Sequence, residues 1–301
     1  MPRTSRLARL QQALVLGLLA VALAWGWAWW PARPALAVAG AVLALFAHSP
    51  LLAIELLLMR WASRHDPAPR SSVHQMLAAW WHETWADVRV FGWRQPFAWQ
   101  RCPDQPDTAG AHARRGIVFI HGFVCNRGFW RPWLERAAAR GHPFIAVNLE
   151  PVFGSIDDYA ETIEQAVARL ATTTRQPPVL VCHSMGGLAA RAWLRRHDGA
   201  RRVAKVVTIG TPHRGTWLAR FSRVANGRQM RIGGEWLREL ERTSVAAAGL
   251  FTCWYSNCDN VVFPPGVATL DGADNRLVPG AAHVELAFRD EVIERTFALL
   301  D

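Results

Sequence analysis

The sequence predicts an α/β protein: a doubly wound, mostly parallel sheet preceded by a transmembrane helical hairpin. Three observations predict it. From Gly116 onward, short apolar runs alternate with amphipathic stretches of helical period, the pattern of strands joined by crossover helices. In Pro178-Val-Leu-Val-Cys-His-Ser184-Met-Gly-Gly-Leu, an apolar run meets a tight turn bearing a serine and then a helix. Ahead of residue 64 stand two long apolar runs bordered by arginine.

Taken in order, residues 1–63 form a membrane-anchoring segment. The run 13–30 carries no charge and ends in Trp25, Trp27, Trp29 and Trp30, an aromatic belt suited to a bilayer interface. Pro31 and Pro34 break it. The run 35–59 is also long enough to span, but Glu55 is costly there unless it lies near the interface or finds a partner. Arginines before the first run and after the second place both ends in the cytoplasm, an inner-membrane topology with the catalytic domain on that side. The competing reading is an exported protein with a signal ending near Ala35-Leu-Ala37.

Residues 64–114 join this segment to the catalytic domain. Ser72 and Gln75 match a capping box. The helix after them carries Met76, Leu77, Trp80, Trp81 and Trp85 largely on one side, to pack on the domain or lie on the bilayer. Residues 86–101 read as one or two strands and 102–114 as a polar loop. The catalytic domain, 115–301, has strands expected at 117–120, 144–147, 179–181, 203–209, 251–255 and 267–270. Helices are expected at 130–140, 156–171, 185–196 and 284–300, with a cap-like insertion at 216–250.

The net charge is +10, and residues 1–70 supply half of it, seven arginines against Glu55 and Asp66. No basic run with interleaved aromatics occurs in the catalytic half, which argues against nucleic-acid binding and for a membrane. Five cysteines without ligand spacing predict no metal; Cys253 and Cys258 are near enough in sequence to pair, although reduced thiols fit better. Nothing in the sequence calls for a cofactor, and nothing fixes the oligomeric state.

A serine hydroxyl needs a base, and the base an orienting acid. Ser184 sits where a strained strand-to-helix turn exposes its hydroxyl. Small neighbours are needed there; Gly186 and Gly187 provide them on the helix side, and Cys182 stands where glycine is usual. His283, in the loop before the last helix, is the expected base, and His213 comes too early. Asp259, just past the strand at 251–255, is the expected acid; Asp271 and Asp274 fall in what reads as a turn. The oxyanion hole should use the N–H of Met185, at a helix start, and of Phe123, after His121-Gly122. Trp217, Leu218, Phe221 and Trp236 in the insertion are candidate acyl-site residues, or ordinary packing positions.

Together, the His121-Gly122 loop, the Cys182-His-Ser-Met-Gly-Gly187 turn, Thr211-Pro-His-Arg-Gly-Thr216, Tyr255-Ser-x-x-Asp259, Leu270-Asp-Gly-Ala273 and Gly280-x-x-His283 resemble the α/β-hydrolase superfamily, bacterial lipase and esterase branch, over about residues 115–300. The resemblance implies Ser184 as nucleophile, Asp259 as acid, His283 as base, and Phe123 and Met185 as oxyanion donors. The departures are Cys182 and the N-terminal hairpin, which small secreted lipases lack. The expected function is a membrane-anchored serine ester hydrolase acting on lipid or another apolar ester. The same triad also serves an acyltransferase, thioesterase or polyester depolymerase, and a non-catalytic binding role is the third alternative.

Overall fold

The computed structural model describes residues 5–107 and 114–300. Four helices come first: α1 (Arg6–Trp29), α2 (Pro34–Leu45), α3 (His48–Ala62) and α4 (Val73–Arg89). The sheet domain then runs β1 (Ile117–Ile120), β2 (Phe144–Ala146), β3 (Val179–His183), β4 (Lys205–Ile209), β5 (Phe251–Tyr255) and β6 (Asp274–Leu277). All neighbouring strands are parallel, in the order β2-β1-β3-β4-β5-β6. The chain reverses its direction of travel across the sheet between β1 and β3, and the crevice at such a switch point is where an open α/β sheet places a site.

Period-two alternation decides which helices cover which face. Val118, Ile120, Ile145, Leu180, Cys182 and Val206 point into one core. There they meet the helices Ala160–Thr174 and Met185–His197. Ile117, Phe119, Phe144, Val181, Val207 and Trp254 point the other way, onto the helices Arg131–Ala139 and Asp290–Phe297. A strand buried on both faces reads as a continuous apolar run, which is why β1 and β3 were legible as such.

Several expectations are corrected. Residues 86–97 are helical, and 98–101 are turn and bend: α4 reaches Arg89, a wide π-turn covers Val90–Arg94, and a further turn covers Gln95–Phe97. Ala86 and Val90, one helical turn apart, are buried, while Trp93 is exposed, so burial here follows a helical period and not a strand's alternation. The strand expected at 267–270 is a 3₁₀ turn (Pro265–Ala268), and β6 begins at Asp274, in the stretch expected to be a turn. The last helix is two, His283–Leu286 and Asp290–Phe297. All five cysteines are free. Of the loop expected at 102–114, residues 108–113 lie outside the described residues, as does Arg3.

The second apolar run is not one helix. It breaks near residue 46 into α2 and α3, bent by 56°. The break lets α3 turn onto the sheet domain, where Leu56 and Met59 join Ala79, Cys258, Phe263 and Ala282 in a third apolar cluster. Ser49 and Thr84 hydroxyls, 3.0 Å apart, and the Trp80 indole donating to the Ser49 carbonyl at 2.9 Å, tie α3 to α4. Among the described residues α1 is the helix long and apolar enough by itself to cross a membrane. The capping box at Ser72 and Gln75 is present. α4 packs through Ala79, Glu83 and Ala86, and its Leu77, Trp81 and Trp85 face outward.

Candidate active site

Ser184 follows the last residue of β3 and precedes the helix Met185–His197. Its φ of 54° and ψ of −129° lie in a region that costs a non-glycine residue strain of the order of 1–3 kcal/mol. The surroundings hold it there. Its N–H donates to the Ile209 carbonyl at 2.9 Å, and its own carbonyl accepts from the Thr211 hydroxyl at 2.9 Å. A Cβ at Gly186 would fall 2.6 Å from the His121 carbonyl, so only glycine lets this helix approach the end of β1 so closely. Cys182 takes the corresponding strand position because it points into the core, fully buried.

His283 starts the loop-end helix after β6, and Asp259 follows β5. The ring Nδ1 of His283 lies 2.9 and 3.0 Å from the two Asp259 carboxylate oxygens. Asp259 is fixed by the N–H groups of Val261 and Val262, which donate to its Oδ1 at 2.9 and 2.7 Å. The backbone of His283 is fixed from both sides: its N–H donates to Asn260 Oδ1 at 3.1 Å, and its carbonyl accepts from His183 Nε2 at 3.2 Å. His183 adjoins Ser184 in sequence, and its ring lies 4.7 Å from the His283 ring, so serine and histidine are brought to one edge of the sheet. Burial and the neighbouring His283 push the His183 ring well below the ordinary histidine range, which keeps it neutral.

The loop after β1 reaches the same place. A Cβ at Gly122 would lie 2.7 Å from Ser184 Cβ and 3.3 Å from its hydroxyl oxygen. His121 controls the orientation of the next peptide. Its Nε2 accepts from the Leu149 N–H at 3.1 Å, so the ring proton is on Nδ1, which donates to the Gly122 carbonyl at 3.0 Å. In a trans peptide, the N–H of Phe123 points opposite to that pinned carbonyl. Burial lowers His121 to about 4, so it keeps this neutral form at working pH.

The candidate acyl-site residues divide. Trp217 and Leu218 border the third cluster, with Phe263, Cys258 and Ala282, next to the Asp259 and His283 loops. Trp217 stacks on Phe263 with centroids 5.8 Å apart and meets Trp61 of α3 edge-on at 5.9 Å. Phe221 touches Trp217 but is mostly exposed. Trp236 sits elsewhere, donating to Asp157 at 2.7 Å and packing on the first core. His213 is buried against Thr208 and Cys253 and is not part of the constellation.

The N-terminal helices reach the site, which the sequence reading missed. Glu55 of α3 accepts from Asn260 Nδ2 at 2.7 Å, so the one acid in the second apolar run has its partner inside the sheet domain. Glu83 of α4, 1% exposed, accepts from the N–H groups of Val284 and Glu285, both at 2.8 Å. Burial pushes the Glu83 carboxyl well above the usual range and the nearby Asp87 charge adds to this, while the two amide bonds act the other way. Asp87 is raised to about 7, first by burial and then by the Glu55 charge, against the pull of His283. Glu83 was detectable as the lone acid between Ala79 and Ala86 on the face opposite the outward aromatics.

Nothing among the described residues gathers three or more histidine, cysteine or acidic side chains as for a metal ion. A sequence model of the alpha/beta hydrolase family matches residues 117–295, and the chain belongs to that family. A 92-residue stretch is 30% identical to the AB hydrolase superfamily protein YisY of Bacillus subtilis (strain 168), covering 29% of this chain and 34% of that protein. The match thus spans about a third of that relative's length. The mature form of Bacillus licheniformis lipase BlEst2 superposes over 62% of this chain and 92% of its own, with a TM-score of 0.56 at 18% identity. Aspergillus fumigatus lipase B does so over 65% and 55%, with a TM-score of 0.53 at 14% identity. At these identities the likeness is one of fold. The family match begins at 117, so α1 to α4 lie outside it.

Proposed function

We propose that the chain is a membrane-anchored serine hydrolase of carboxylic esters, of lipase or esterase type, acting on lipid or another apolar ester. The observation that carries this is the site's core: a strained Ser184 at the strand-to-helix turn, on the same edge as a His283 whose Nδ1 is held by the Asp259 carboxylate. In this reading His283 Nε2 takes the Ser184 proton as the hydroxyl oxygen attacks the ester carbonyl. The tetrahedral oxyanion is met by the N–H groups of Phe123 and Met185. His283 then protonates the leaving alcohol, and the acyl-enzyme is hydrolysed by a water that His283 deprotonates. Asp259 keeps the proton on Nδ1 and stabilises the imidazolium. Trp217, Leu218 and Phe221 border the acyl site, and Trp236 is a packing residue.

Membrane anchoring belongs to the same proposal. α1 and α2 pack together as a hairpin that exposes Leu14, Leu18, Leu23, Trp27, Val42 and Leu43, among others. The first turns of α1 dock on the domain, with Gln12 donating to the Pro96 carbonyl at 2.7 Å. The free reach of the hairpin is therefore set by α2, whose 12 residues rise about 18 Å against a hydrocarbon core of about 30 Å. It enters the bilayer from the side on which the catalytic domain sits, cytoplasmic by the arginine distribution. Trp85 of α4 meets Phe46, at the end of α2, edge-on at 5.5 Å, and Leu77 and Trp81 are also exposed.

The test is hydrolysis of p-nitrophenyl esters of increasing chain length by the full-length protein in detergent, against Ser184→Ala. The expected result is a loss of about 10⁴-fold or more in kcat with the variant folded. Transfer to an added alcohol in preference to water would move the reading to an acyltransferase. A folded wild type that cleaves no ester and leaves Ser184 unlabelled by a fluorophosphonate would refute catalysis.

A further inference from the structure

The structure assigns Glu83 and Glu55, on helices outside the hydrolase domain, as positioning residues for His283, so that the N-terminal segment completes the active site rather than only anchoring it. This inference rests on the reading of His283 as the catalytic base.

The reason is local. His283–Leu286 is a helix of four residues, and the first N–H groups of any helix have no partner within it. Here the N–H groups of His283, Val284 and Glu285 are successive, and each is taken. His283 donates to Asn260 Oδ1 at 3.1 Å, and the other two donate to the two oxygens of Glu83 at 2.8 Å each. Asn260 is itself held: its amide donates to Glu55 Oε2 at 2.7 Å, which fixes the amide's orientation and leaves its oxygen facing His283. The backbone that aims the imidazole is thus clamped by one carboxylate from α3, through Asn260, and one from α4 directly. About 200 residues of chain separate the acids from the groups they hold, so the contacts exist only when the N-terminal helices are docked.

Glu83 is buried, and a buried carboxyl group is retained at a cost unless its oxygens are satisfied. Aliphatic residues flank it on the same face, Ala79 and Ala86. The acid is therefore placed for the two amides it meets. Apolar packing alone would be served by leucine.

The variant is Glu83→Gln in the full-length protein in detergent. Glutamine keeps the volume, but its amide nitrogen faces a backbone N–H, donor against donor. The loop shifts, and a displacement of the order of 1 Å at a reacting group costs about 10²-fold. The expected result is kcat down by about 10–10²-fold per fluorophosphonate-titrated Ser184, with KM within about twofold. The effect should vanish when Glu83→Gln is placed on His283→Ala, because a residue acting through His283 has nothing left to position. Wild-type kcat in the single variant overturns the inference, as does the same fold loss in the His283→Ala background. If Glu83→Gln does not fold, Glu55→Ala decides: a kcat loss with KM unchanged supports the inference, and wild-type kcat overturns it. Wild-type activity in His283→Ala alone refutes the triad reading instead, so the two failures are distinguishable.

Discussion

Gly210 is where a single added methyl group would press on the proposed acid and base, Asp259 and His283. It follows β4, with φ of 57°, and its N–H donates to the Trp254 carbonyl at 2.9 Å. A Cβ there would lie 3.0 Å from Asp259 Oδ2 and 3.2 Å from His283 Nδ1, the two atoms whose hydrogen bond orients the base. Both contacts are a few tenths of an ångström too short, so something must give. Asp259 is held by two backbone N–H groups, and His283 by Asn260 and His183, so the methyl group is pressed against the bond itself. Gly210→Ala should therefore lengthen the Asp259–His283 bond. Total loss of the orienting acid costs about 10⁴-fold in the triad template, and a misplacement of about 1 Å about 10²-fold. A shift of a few tenths should cost about 10–10²-fold in kcat with KM little changed. The left-handed backbone adds about 1–2 kcal/mol of strain for alanine, a fall of a few degrees in Tm. Ester hydrolysis per titrated serine gives the first quantity and thermal unfolding the second. A folded Gly210→Ala protein with wild-type kcat would show that the Asp259–His283 bond does not orient the base, and the reasoning would fail.

Two further outcomes are expected. Asp87 titrates near about 4 in an unfolded chain and at about 7 here, so the folded protein binds the extra proton between these values. Its contribution favours folding below about pH 4 and is lost as the pH rises through about 7, with Glu55, Glu83 and His283 the charges around it. Asp87→Asn should raise Tm at pH 8 and leave it unchanged at pH 4; an equal change at both would refute the assignment. The four buried thiols should be inert: burial raises Cys125 to about 12 and Cys253 and Cys258 to about 11, and pushes Cys182 higher still. Native protein treated with a thiol reagent at pH 8 should be modified at Cys102 alone and keep its activity, as read by mass spectrometry.

Range along the chain decides what a sequence shows. The turn at Ser184 was legible because it is local: a strand, a strained residue and a glycine-bearing helix follow within ten positions, and each leaves a mark in residue type. β1 and β3 were legible because strands buried on both faces must be continuously apolar. The apolar residues of 86–101 were misread as strands because a short apolar run does not declare its period; the π-turn at Val90–Arg94 shifts the helix face besides. β6 was misplaced by a few residues because an edge strand beginning Asp274-Asn275-Arg276 has one solvent-facing side and little apolar signature. Trp217 and Trp236 looked alike in sequence, yet one meets α3 beside the His283 loop and the other is tied to Asp157.

By itself, then, the sequence determined the alternation that makes the sheet, the strand-to-helix turn at Ser184, and the apolar character of the N-terminal segment, because each is written in neighbouring residues. Tertiary structure alone decided that the second apolar run bends back onto the domain, that Glu55 meets Asn260, and that Glu83 takes the amides beside His283. An acid inside an apolar run or on a small-residue helix face signals an obligatory partner, since burial without one is costly. Its identity is set by which surfaces the folded chain brings together across about 200 residues, and no local pattern encodes that.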